Sequence, residues 1–121
     1  MGAGTIGLQL IAALRALGCK AKIIVSARYD FQAKAAKKLG ADQIFQGGDL
    51  YTQMAEAIGG KLHKPLVGKR VMVGGVDRVY ECVGKDSTVD DAMRLTRANG
   101  KVILVGVPGA AKGIEWTAIF S

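Results

Sequence analysis

Hydrophobic positions along this chain alternate between two rhythms, one helical and one strand-like. From Thr5 to Leu17, the residues Ile6, Leu10, Ala13, Leu14 and Leu17 recur at helical spacing, and Gly18 follows as a stop signal. Ala21 to Ala27 is a short β-branched run that reads as a buried strand. Phe31, Ala35 and Leu39 form a second helical stripe closed by Gly40, with Lys34, Lys37 and Lys38 facing out. Asp42 to Phe45 is a short strand, and Gly47-Gly48 is a turn. Leu50, Met54, Ile58 and Leu62 repeat every four residues as a third helix or series of helical turns.

The stretch from Gly59 to Gly75 is less regular, and its pattern leaves open whether Lys69 to Val73 is a strand. Asp77 to Gly84 is a firmer strand. Ser87 with Asp90 three residues later predicts a capping box opening a fourth helix that runs to Asn99-Gly100. Lys101 to Gly109 is the most strand-like segment of all. Strands alternating with helices predict an α/β fold, a doubly wound parallel sheet covered on both faces.

Composition narrows the picture. The 121 residues make room for one domain, and 17 glycines suit a fold with many tight turns. The net charge of +7 favours anionic partners in general. Its lysines are dispersed, without the aromatic interleaving that single-strand binders use, so no nucleic-acid partner is expected. Cys19 and Cys82 form no CxxC pair and fit reduced thiols beside apolar strands, so no metal site is expected. No apolar stretch reaches the length of a membrane span, and the start Met1-Gly2 opens no signal peptide. Ile6 also occupies the position where a myristoylation signal wants Ser or Thr. A cytoplasmic protein without membrane contact is the expectation.

The chemistry starts at Gly2-Ala3-Gly4-Thr5-Ile6-Gly7, a GxGxxG opening the first amphipathic helix. Gly2 would allow the tight turn, Gly4 the approach of a pyrophosphate, and Gly7 the close packing of helix on sheet. The helix N-terminus would add free amides and a positive dipole end. Such a loop should follow a strand that is central in the usual order, yet only Met1 precedes it. The reading therefore expects a chain lacking its first and last strands.

In NAD-binding loops an acid about twenty positions on holds the ribose 2′-hydroxyl. Here Ala27 and Arg28 stand at that place. A small residue followed by a guanidinium suits a 2′-phosphate, which favours NADP(H) over NAD(H). In the alternative, Arg28 merely starts the helix and Asp30 takes the ribose contact.

Four segments carry a family resemblance: Gly2 to Gly18, Ala36 to Asp42, Val76 to Gly84 and Gly100 to Gly109. In order and spacing they resemble the nucleotide-binding domain of the medium-chain, zinc-type alcohol dehydrogenases. The resemblance implies a partial Rossmann domain over residues 1–121, without the catalytic zinc domain. Cys82, Val83 and Gly84 would then line the path from adenosine to nicotinamide, and Val105, Gly106 and Val107 would meet the nicotinamide carboxamide. For Val83 and Val105, core packing competes with that role. The parent protein would interconvert an alcohol and a carbonyl compound, with zinc held only in the missing domain, as a homo-oligomer. No catalytic residue is assigned here, so the fragment alone should be inactive. Gly59 to Gly75 is longer than the family's usual connection and reads as an insertion. His63 within it reads as a surface histidine, and Tyr80, Glu81 and Trp116 as sheet and edge residues. Two rivals are a non-catalytic nucleotide-binding module and an S-adenosylmethionine-dependent methyltransferase.

Overall fold

In a computed structural model the chain is described for residues 1–107, 109–110 and 112–116. It divides into two compact units, Met1–Gly48 and Asp49–Ser121. The first unit holds α1 (Thr5–Ala16), β1 (Ile24–Ser26), α2 (Asp30–Lys38) and β2 (Gln43–Phe45). Residues 1–4 form no strand. β1 and β2 pair in parallel, with Val25 opposite Ile44. The core is built from Ala3, Ile11, Val25, Ala27, Ala36 and Ala41. Small side chains dominate it, so the two helices can approach closely.

The helix stripes are shifted from expectation by about one residue. In α1 the buried positions are Gly7 and Ile11, with Leu8 packed beside them. Ile6 and Leu17 are exposed. This helix is apolar on more than one side, so its periodicity cannot say which stripe packs; Gly7, lacking a side chain, sets the face that comes closest. In α2, Ala36 is buried and Leu39 packs beside the core as expected, whereas Phe31 is exposed and stacks on Tyr29. Gly18, Gly40, Gly47 and Gly48 all take positive φ, at the stops and turn expected of them.

The second unit begins with α3 (Leu50–Ile58), which ends at Gly59 in the left-handed conformation. Leu62 therefore lies outside the helix that its spacing suggested, in β3 (Lys61–His63). β3 pairs antiparallel with β4 (Val71–Val73), so the undecided segment is a strand and Gly59 to Gly75 forms a hairpin. β5 (Val76–Glu81) pairs in parallel with β6 (Thr96–Leu104) through a register irregularity near Val76 and Arg78.

Between these strands lies α4 (Asp86–Leu95), buried through Val89, Asp90, Ala92, Arg94 and Leu95. It starts before Ser87, whose side chain is not the cap. The cap residue is Lys85, whose amide donates to Thr88 Oγ1 at 3.3 Å. It also stops at Leu95 rather than at Asn99-Gly100, because the chain turns extended at Thr96. β6 accordingly starts earlier than expected and ends at Leu104 rather than Gly109; Pro108, near that end, lies outside the described residues.

Candidate coenzyme site

The first unit gathers the glycine loop and the Ala27-Arg28 pair. Gly2 sits at φ 88° and its amide donates to Ser26 Oγ of β1 at 3.3 Å. That bond ties the loop to the end of the strand that delivers Ala27 and Arg28. Gly4 is the N-cap of α1 and supplies no side-chain cap, so the first-turn amides of Thr5, Ile6 and Gly7 receive no acceptor from it. A Cβ at Gly4 would meet nothing within 4 Å. The opening is thus bare backbone at the positive end of a helix, a surface that fits a phosphate group.

Ala27 is 7 % exposed, whereas Arg28 is fully on the surface. The Arg28 guanidinium lies 5.4 Å from the Tyr29 ring centre, and that ring stacks on Phe31 at 5.7 Å. The amide nitrogens of Arg28 and Tyr29 both donate to Gln32 Oε1, fixing the entry into α2. Asp30, the alternative ribose partner, accepts a hydrogen bond from Gln46 Nε2.

The second unit brings Cys82, Val83 and Gly84 against Val105, Gly106 and Val107, at the carboxyl ends of β5 and β6. Gly84 has φ 76°, and a Cβ there would lie 2.9 Å from the Val107 backbone. Val83 and Val107 are exposed and Val105 half-buried, so Val83 is not a core residue. Cys82 is half-buried and free; burial pushes its thiol up and away from reactivity.

Glu81 carries more than a sheet residue's role. Its side chain is wholly buried, and its carboxylate accepts hydrogen bonds from the Val83 and Gly84 amides and the Thr88 hydroxyl. The signal in the sequence is an acid at the end of an apolar strand, where a charge has to find donors.

His63 is exposed on β3, as expected, and Tyr80 is half-buried within β5. Trp116 is exposed. Among the described residues no group of three or more His, Cys, Asp or Glu side chains could hold a metal ion. The described residues therefore do not fit a zinc centre.

The deciding comparison is with a family of known proteins: residues 5–121 match the model of the zinc-binding dehydrogenases. The chain belongs to the zinc-binding dehydrogenase family. It is 35 % identical to an L-idonate 5-dehydrogenase of Vitis vinifera over 99 % of this chain and 33 % of that protein. A sorbitol dehydrogenase of Arabidopsis thaliana is 32 % identical over 99 % of this chain and 34 % of its own length. The chain spans about a third of the length of the curated relatives it matches. Among solved structures it is similar to a zinc-binding dehydrogenase of Sinorhizobium meliloti 1021 bound to NADP, with 32 % identity and TM-score 0.75. That match covers 98 % of this chain and 32 % of the other. The parallel strand pairs and their helices are those of a Rossmann-type nucleotide-binding domain.

Proposed function

We propose that this chain is the coenzyme-binding part of a zinc-type, alcohol dehydrogenase-like oxidoreductase, and that it favours NADP(H) over NAD(H). One observation carries the reading: an uncapped helix N-terminus behind an open Gly4, in the same unit as a buried Ala27 followed by an exposed Arg28. The glycine loop would hold the pyrophosphate through Gly2, Gly4, Thr5, Ile6 and Gly7, and Arg28 the 2′-phosphate. Cys82 to Gly84 and Val105 to Val107 would face the nicotinamide half. Bound there, the coenzyme would supply the hydride chemistry, giving a hydride to a carbonyl carbon when reduced and taking one from the carbinol carbon of an alcohol when oxidised.

The whole protein would interconvert a small alcohol and a carbonyl compound, with its zinc ligands in a domain outside these 121 residues. The same reading makes the parent a cytoplasmic homo-oligomer and this part inactive alone.

Titration of the chain with NADPH, NADH and S-adenosylmethionine tests the proposal. NADPH should bind more tightly than NADH. Arg28→Ala should weaken NADPH by about 10- to 100-fold, the worth of a charge-assisted phosphate contact, and leave NADH unchanged. Equal loss for both coenzymes would remove the NADP preference, and saturable binding of S-adenosylmethionine alone would overturn the whole reading.

A further inference from the structure

Glu81 joins the two strand-end loops of the second unit through both its side chain and its backbone. Its Oε1 accepts the Val83 amide at 2.8 Å, the Gly84 amide at 3.0 Å and the Thr88 hydroxyl at 2.8 Å. Its Oε2 shares the Gly84 amide at 3.0 Å. The Glu81 carbonyl oxygen accepts the amides of Val105 and Gly106, each at 2.8 Å. One residue thus holds the segment after β5 from its carboxylate and the segment after β6 from its peptide.

The surroundings are built for that carboxylate. The three donors, two backbone amides and the Thr88 hydroxyl, each meet a carboxyl oxygen of Glu81. Thr88 lies in the first turn of α4, where the helix dipole favours negative charge. Its hydroxyl donates to Glu81 and accepts the Lys85 amide, which couples the start of α4 to the loop. Gly106 is required by the same clasp. A Cβ there would lie 2.8 Å from Glu81 Oε2 and would overlap the Gly84 amide. These bonds give residues 82–84 a fixed path.

We propose that Glu81 is a positioning residue that sets the loops 82–84 and 105–107 in the geometry that receives the nicotinamide half of the coenzyme. This rests on the coenzyme-binding reading above. It makes Glu81 a determinant of coenzyme geometry although it touches no ligand itself.

Amide hydrogen exchange on the full chain separates this proposal from the reading it rests on, because it needs no coenzyme. In Glu81→Ala the Val83 and Gly84 amides should exchange about 10- to 100-fold faster than in the wild type. Those of Val79 and Ile103 within the paired strands should be unchanged. Glu81→Gln, which keeps one acceptor oxygen, should restore part of the protection. Gly106→Ala should loosen the same amides with Glu81 in place. Unchanged exchange at Val83 and Gly84, or equal acceleration throughout β5 and β6, overturns the proposal.

A second arm uses NADP⁺ and its 2′-phosphoadenosine fragment as separate probes. Glu81→Ala should weaken NADP⁺ about tenfold and leave the fragment's affinity unchanged. Equal loss for both means that Glu81 only supports the fold. If the wild type binds neither, the coenzyme reading fails, while the exchange result still decides what Glu81 does to the loops.

Discussion

At the scale of single residues, the first unit turns on Arg15. Its Nε donates to the Gly40 carbonyl at 2.9 Å, and its Nη1 to the carbonyls of Cys19 and Ala21 at 2.7 and 3.0 Å. Its Nη2 reaches Asp42 at 2.6 Å, and Asp42 also accepts the Ile23 amide at 2.7 Å. One guanidinium thereby joins the end of α1, the approach to β1, the end of α2 and the start of β2. The segment Leu39-Gly40-Ala41-Asp42, part of the family-like pattern, thus has a packing reason. Gly40 takes φ 108°, and a Cβ there would lie 2.8 Å from Arg15 Cγ. Gly40→Ala should cost about 1–3 kcal/mol, from the strained conformation and the displaced clamp. Urea unfolding followed through the first unit measures it. A loss below a few tenths would mean that Arg15 yields easily.

At the scale of elements, the hairpin β3–β4 is anchored to α4 through a buried charge network. Asp90 and Arg94 are 1 % and 2 % exposed, and Arg94 Nε lies 3.2 Å from Asp90 Oδ2. Lys69, in the hairpin loop, reaches Asp90 at 2.6 Å, and Arg94 Nη2 reaches Glu115 at 2.6 Å. Burial pushes the Asp90 carboxyl up, but the hydrogen bonds from Lys69 and Arg94 outweigh it and hold it down. The Ser87–Asp90 spacing reads as a capping box only because sequence cannot show which acid is buried. Asp90→Ala removes one of the two carboxylates that hold the buried Arg94 and leaves Glu115 as its remaining partner, which should cost about 2–3 kcal/mol. Thermal unfolding of the second unit checks this. Asp90→Leu with Arg94→Met, an apolar pair closer in volume to the ion pair, should recover part of the loss, since it removes both buried charges together. The exposed pair between Arg70 and Asp49, bidentate at 2.7 Å, should matter far less near neutral pH.

At the scale of the whole molecule, several carboxyls share one pH dependence. The Ile23 amide and Arg15 hold Asp42 below its ordinary value; Arg70 and Thr52 do the same for Asp49, and Arg97 for Asp77. A carboxyl lowered by folding stabilises the fold above its unfolded value and loses that contribution as pH falls through the folded one. Stability should therefore be level near neutral pH and decline below about pH 4. A thermal-melt series from pH 6 to pH 2 would show it, and Asp49→Asn should flatten part of the decline. A steady fall beginning near pH 6 instead would point to a different titrating group.

Most of the α/β alternation was legible in the sequence, because period and punctuation are local. Gly18, Gly40 and the Gly47-Gly48 turn mark chain reversals that only a residue without a side chain makes cheaply. The glycine loop and Ala27-Arg28 could be nominated from sequence for the same reason, since they are defined by spacing along one βα unit. Which face of α1 packs, where α4 begins and that Gly59 to Gly75 folds as a hairpin were decided by tertiary contacts between distant segments. Glu81 shows the difference best. As a letter at the end of a strand it is an ordinary polar residue. Only the convergence of Val83, Gly84 and Thr88 on its carboxylate, and of Val105 and Gly106 on its carbonyl, makes it the residue that holds two loops together.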